Sequence, residues 1–338
     1  MTGPPAHAVR YARSGIRTPW DELAAWAKTR DMRIGIGLGD IGGAGADVDG
    51  LIAQAKRAEA DGFASGWFAN IFGMDAIVAA ALCGRETNRL ELGTAVVPTY
   101  PRHPVAMAQA ALSAQAAARG RFVLGVGLSH QVVIEMMLGM SFAKPYSHMK
   151  EYLAVLTALI RTGSASHQGT EYRVAAQVAV PGATPCPILV AALAPKMLAL
   201  AGTVADGTIT WMTGEKTVRE HIVPRIGEAA AKAGRPAPRV VVGLPIVITR
   251  DVAGARESAA QGFQIYGTLP SYRRMLDLEG AEGPADVAIA GDESAVGERL
   301  QRLAESGTTD FLAAPYRVKG DPDAQERTRA FLARLAAR

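Results

Sequence analysis

The chain has little cysteine, no long apolar run and no clustered charge, and each shortage removes a class of protein. Its two cysteines, Cys83 and Cys186, lie far apart and outside any CxxC spacing. That excludes a disulfide framework and a dithiol redox pair, and it fits inert packing thiols in a reducing cytoplasm. No apolar run approaches the roughly 18 residues of a spanning helix, so no membrane partner is expected. The N-terminus carries no apolar signal-peptide core. Lys and Arg total 36 against 32 Asp and Glu, for a net charge of +4. These charges are spread without a basic run, which argues against a nucleic-acid partner. The six histidines form no HxxxH or HExxH grouping, so no metal site is expected. There is no G-x-S-x-G elbow, so a Ser-His-Asp hydrolase is unsupported.

What is present is apolar mass and a regular rhythm. The 338 residues are 49% apolar, enough for a sizeable core. A prior of about 150 residues per domain suggests two domains, but one α/β barrel can be this long. Residues 1–31 differ from the rest: they hold Gly3-Pro4-Pro5, scattered Arg and a short helical candidate near Asp21–Lys28. They are expected to be an N-terminal extension, with a single domain over residues 32–338.

From Met32 onward, strand and helix patterns alternate. The expected strands are Arg33–Leu38, Gly62–Phe68, Leu90–Val97, Arg121–Gly127, Pro187–Ala191, Asp206–Trp211, Val240–Thr249 and Asp310–Ala314. Between them lie helical patterns, such as Val48, Leu51, Ile52 and Ala55 behind a capping Asp47. Pro104 is a plausible first residue of the third helix and Gly120 follows its end. A hairpin-like excursion covers His167–Val174. Eight strands alternating with helices predict an α/β fold of the (β/α)8 TIM barrel type. Residues 251–292 exceed what one helix needs and carry Tyr266 and Tyr272, which predicts an insertion that lids the pocket.

One motif misleads. Gly37-Leu38-Gly39-Asp40-Ile41-Gly42 reads G-x-G-x-x-G after a strand. A dinucleotide-binding unit then needs an acidic residue ending strand two. That strand ends Trp67-Phe68-Ala69-Asn70 instead, so the glycines read as a flexible first loop.

Three strand ends carry the chemistry: Gly93-Thr94-Ala95-Val96-Val97-Pro98-Thr99-Tyr100-Pro101, Gly125-Val126-Gly127-Leu128-Ser129-His130, and Ala205-Asp206-Gly207-Thr208-Ile209-Thr210-Trp211-Met212. Each is an apolar strand opening into small, polar and aromatic residues, so their carboxyl ends should converge on one pocket. Gly125 and Gly127 either let backbone approach a ligand or make a tight turn. His130 has a side chain that titrates near neutrality, suited to donating a proton, or it caps a helix start. His103, between Arg102 and Pro104, reads as a turn residue. The segment Leu193-Ala194-Pro195-Lys196 opens a helix whose N-terminus would attract a phosphate. Lys196 adds charge there or is simply solvated. Tyr100, Trp211 and Met212 wall a substrate pocket or belong to the core.

With Gly120-Arg121-Phe122 and Ala191-Ala192-Leu193-Ala194-Pro195-Lys196-Met197, these segments resemble the bacterial luciferase-like flavin and deazaflavin oxidoreductases, in their coenzyme F420-dependent branch. The resemblance covers Met32 to the C-terminus. It implies a barrel, a homodimer and a planar isoalloxazine-type ring across the strand ends. It also implies a bulge in strand three with a non-prolyl cis peptide at Ala95–Val96 behind the ring, and Asn70 beside the ring or its polar side chain. Leu128 and Ser129 fall at the ring as well. His130 stands where relatives carry an acidic residue, Ile71 where many carry His, and Ala194 where many carry Gly. The implied activity is hydride transfer between reduced F420 and a small organic substrate. The alternatives are an FMN-dependent monooxygenase on the same barrel and a non-catalytic deazaflavin or flavin carrier.

Overall fold

The chain is described by a computed structural model over residues 32–39 and 45–337. The N-terminal extension, its helical candidate and most of the first glycine-rich loop lie outside these residues. The strands are β1 Arg33–Leu38, β2 Ser65–Phe68, β3 Glu91–Thr94, β4 Val97–Pro98, β5 Phe122–Gly127, β6 Ser164–Gln168 and β7 Arg173–Gln177. Then follow β8 Ile188–Val190, β9 Gly207–Trp211, β10 Arg239–Ile248, β11 Ile289–Gly291 and β12 Asp310–Pro315. The parallel ring runs β1, β2, β3 continued by β4, β5, β8, β9, β10, β12 and back to β1. It is the expected closed eight-stranded barrel. The expected third strand is split in two by a bulge at Ala95 and Val96. The hairpin β6–β7 is antiparallel and stands apart from the ring.

Local signals set the helix starts. Asp47 accepts the Gly50 N–H at 2.8 Å, and Asp292 accepts the Ala295 N–H at 2.9 Å. Proline is the first residue of the helices Pro104–Ala117, Pro145–Thr162 and Pro195–Val204. The helical stretch after β9 runs as Glu215–Thr217, a π-helical turn Val218–Ile222 and Val223–Lys232. Residues 251–292 form the helices Val252–Gly262, Gln264–Thr268, Pro270–Glu279 and Pro284–Val287, and then β11, which extends the sheet beside β10.

The amino ends of the barrel strands are closed by charge. Arg239 reaches Asp310 at 2.6 Å and Glu91 at 2.9 Å, while Arg33 reaches the same two carboxylates at 3.3 and 3.2 Å. Burial opposes the Arg239 charge, but Asp310 and Glu91 outweigh it and hold the guanidinium ionised. With that face plugged, the other end of the barrel is left for chemistry. Among the described residues no helix is long and apolar enough to cross a membrane. No group of three or more His, Cys, Asp or Glu side chains among them could hold a metal ion. Cys83 and Cys186 are buried, and burial pushes both thiols up to about 12.

Candidate active site

Alternation along each strand sends every second side chain into the barrel. One inward layer is large: Trp67, Val123, Leu189, Ile209, Val241 and Leu312 pack together as a separate buried cluster. Trp67 fits because Gly35 and Gly93 flank it; a Cβ on Gly93 would sit 2.3 Å from the indole. Two residues further along the same faces stand Gly37, Ala69, Ala95, Gly125, Ala191, Trp211, Gly243 and Ala314. All but Trp211 are glycine or alanine. The carboxyl end therefore opens onto a floor with no side chain longer than a methyl outside Trp211 and the bulge residue Val96. Ala69, Ala95, Val96 and Ala191 on it are only partly buried. A flat floor of this kind fits one face of a planar ring.

The bulge shapes one side of the floor. The Ala95–Val96 peptide is cis, as the resemblance implied. Thr94 Oγ1 donates to the Gly125 carbonyl at 2.8 Å and accepts the Gly125 N–H at 2.9 Å. A Cβ on Gly125 would meet the Thr94 carbonyl oxygen at 2.0 Å, and one on Gly127 would meet Val96 at 2.7 Å. These glycines thus make room for the bulge. Leu128 is half-buried against the main core. Ser129 follows in the left-handed region, at φ 62°, a rare place for serine that recurs at functional sites. Its turn delivers His130 to the mouth.

Asn70 lies just past the end of β2, but its side-chain Oδ1 accepts the Ala76 N–H at 3.1 Å, at the start of the helix Ala76–Glu86. Asp75 caps the same helix and pairs with Arg102. His103 accepts the Val105 N–H at 3.3 Å, so the turn reading holds for it.

Across the mouth, the helix Pro195–Val204 begins at Ala194 with no side-chain cap. Its free N–H groups make a ready anion site. The Leu193 carbonyl accepts a hydrogen bond from His221 Nε2 at 2.7 Å, which fixes the tautomer of that ring. Burial lowers the His221 pKa, and the nearby Arg225 and Arg274 guanidiniums lower it further. Lys196 is exposed on the first turn of the helix Pro195–Val204.

Aromatic residues wall the rest. Tyr100 stacks on His148 with centroids 3.9 Å apart and on Phe142 at 5.2 Å. Its hydroxyl is buried without a hydrogen-bond partner among the described residues. Burial, then Glu171 and Glu135, push that phenol up to about 12. His130 is half-buried, with its ring 5.5 Å from Tyr272, and burial lowers its pKa. The ring makes no hydrogen bond to the described chain, so it does not cap the following helix. Trp211 packs edge-on to Tyr266 and Phe263, at 5.9 and 6.2 Å. Of its two readings, pocket wall or core, Met212 takes the core one. Its φ of 53° turns it off the strand path, and its side chain is fully buried in the core between strands and helices. Trp211 alone carries the wall at that strand end.

His148 shares the helix Pro145–Thr162 with Tyr146 and Tyr152. It bonds Thr99 Oγ1 at 2.9 Å and lies 3.4 Å from the Tyr172 hydroxyl. Burial pulls its pKa down to about 4. In the unfolded chain it titrates near 6.5. Between those values the unfolded state binds more protons, so stability falls as pH drops from about 6.5 toward 4. The slope is up to about 1.4 kcal/mol per pH unit, and above about 6.5 this group adds none. His148→Gln removes that slope. Urea midpoints of both proteins at pH 7 and pH 5 check it; equal shifts in the two would rule it out.

The luciferase-like monooxygenase family profile matches residues 32–324. The F420-dependent glucose-6-phosphate dehydrogenase of Beutenbergia cavernae is 30% identical over 244 residues, 70% of this chain and 67% of that protein. An F420-dependent secondary alcohol dehydrogenase, solved with an F420-acetone adduct, superposes with TM-score 0.72 at 17% identity, over 89% of this chain and 99% of that one. The oxygenating constituent of 3,6-diketocamphane monooxygenase from Pseudomonas putida, solved with FMN, gives 0.71 at 16% identity, over 90% and 98%.

Proposed function

The chain belongs to the luciferase-like monooxygenase family, and on that premise we propose that it is a coenzyme F420-dependent oxidoreductase acting on a small organic substrate. When bound, the deazaflavin supplies hydride chemistry toward an activated C=C, C=N or C=O bond, or accepts hydride from an alcohol. The observation that carries the reading is the glycine and alanine floor over a filled barrel, which matches a ring laid flat. Ala69, Ala95, Val96 and Ala191 would support one ring face. The uncapped helix end at Ala194, with Lys196 on its first turn, would hold the phosphate of the cofactor side chain. Leu193 and Ser129 would flank the ring, and Tyr100 and Trp211 would bound the substrate.

The work of the chain is to orient the two reactants, exclude water and manage one proton. His130 is the group placed for the proton. Its lowered pKa keeps it mostly neutral at pH 7, so it acts as a hydrogen-bond donor with a small protonated fraction. On the family resemblance we also propose a cytoplasmic homodimer.

The test is anaerobic mixing of the protein and reduced F420 with menadione as artificial acceptor. Catalytic reoxidation of F420 over many turnovers supports the oxidoreductase. Binding without turnover points to a carrier. Oxygen consumption with reduced FMN, and none of the F420 chemistry, points to the monooxygenase.

A further inference from the structure

Six rings touch in sequence across the barrel mouth. His130 lies 5.5 Å from Tyr272, Tyr272 5.1 Å from Tyr266, and Tyr266 5.9 Å from Trp211. The line continues through Phe263 at 6.2 Å to Tyr316 at 5.8 Å. It joins the ends of β5, β9 and β12 through the insertion, which supplies Phe263, Tyr266 and Tyr272. His130, Tyr272, Tyr266 and Trp211 are all half-buried, so one side of each is packed and another is open. Trp211 reaches over Gly243, where a Cβ would come within 2.8 Å of its ring.

Three ionised groups beside this wall have partners elsewhere. Arg273 is held by Asp277 and by the Ala281 and Glu282 carbonyls. Glu279 accepts the Lys216 and Thr217 N–H groups, and Arg256 pairs with Asp286. Arg274, two residues past Tyr272 on the same helix, is exposed, and its charge bears on His221. What the wall offers an incoming molecule is ring faces and edges, with hydroxyls that burial keeps neutral.

We infer that the wall of Trp211, Tyr266 and Tyr272 selects an uncharged, planar, ring-bearing substrate and rejects its anionic counterparts. Aromatic pairs favour such a ligand by edge-to-face and offset contacts. A carboxylate or phosphate brought here loses hydration and gains no cation. This inference rests on the proposed function only in placing the substrate above the floor. Tyr266 and Tyr272 are then specificity-determining residues, although they come from a lid-like insertion rather than from the barrel.

The probes are 2-acetonaphthone and its anionic relative 2-naphthoate, titrated calorimetrically into the full chain, alone and with F420 added. The ketone is expected to bind at least about tenfold more tightly than the carboxylate. Tyr266→Ala and Tyr272→Ala should each weaken the ketone about tenfold, while Tyr266→Phe and Tyr272→Phe retain it, which separates ring contact from lost folding. Naphthoate binding as tightly as the ketone, or alanine variants with unchanged ketone affinity, overturns the inference. If F420 fails to bind but the ketone still discriminates through these tyrosines, the cofactor reading falls and the wall stands.

Discussion

Ala191→Leu is expected to weaken cofactor-ring binding by roughly 100-fold while leaving the barrel folded. Ala191 follows β8 with its methyl on the floor, and a Cβ on Gly127 would lie 3.1 Å from it. Below it the barrel is filled by Leu189 and its neighbours. Three added carbons have no room sideways against Val96 and Gly127, so they rise into the ring's place. Overpacking of this kind costs about 1–3 kcal/mol, and 2.7 kcal/mol is about 100-fold in affinity. The site is partly open above, so the cost falls on the ligand rather than on the fold. Ala95→Leu should act alike from the other side of β5, and Ala191→Gly should stay within a few-fold of the parent. Cofactor titration with circular dichroism melts checks this. Unchanged affinity in Ala191→Leu with an intact melt would show that the ring does not lie on this floor.

The second large effect concerns His130. His130→Ala should lower turnover by roughly 10²–10⁴-fold, the usual worth of a general acid, with cofactor affinity nearly intact. Burial lowers the His130 pKa, so its protonated form declines above a value under 6.5. In the direction that consumes a proton, turnover should therefore fall as pH rises through that value, and the Ala variant should lose this limb. His130→Gln separates two roles, because Gln donates a hydrogen bond but no proton. Recovery with Gln means that His130 orients or polarises the substrate. Joint loss of turnover and cofactor affinity means a contact to the cofactor instead.

The barrel was legible because its strands are short apolar runs closed by Gly, Pro and small polar residues. β1 Arg33–Leu38 and β5 Phe122–Gly127 lie within one residue of expectation. The split of strand three was legible only through the resemblance, since nothing in the period of Leu90–Val97 marks a bulge. The glycines at 125 and 127 were visible, but their reason was not. It is a contact with Thr94 and Val96, more than 25 positions away in the chain. Met212 stayed ambiguous because an apolar residue at a strand end reads the same whether it turns to the pocket or to the helices. The Tyr100, Phe142, His148 and Tyr172 cluster is assembled by the hairpin β6–β7 and the helix Pro145–Thr162, a long-range packing that no local pattern encodes. The insertion was legible as surplus length. That its tyrosines line up with His130 and Trp211 was not.

The central claim is that the floor and the helix end at Ala194 hold a deazaflavin. The most direct measurement is an equilibrium titration of the purified full chain with F420 and, separately, with FMN, followed by absorbance and cofactor fluorescence. One F420 bound per chain, more tightly than FMN and weakened by Ala191→Leu, is the predicted result. Binding of neither cofactor, or preferential binding of FMN, would contradict it.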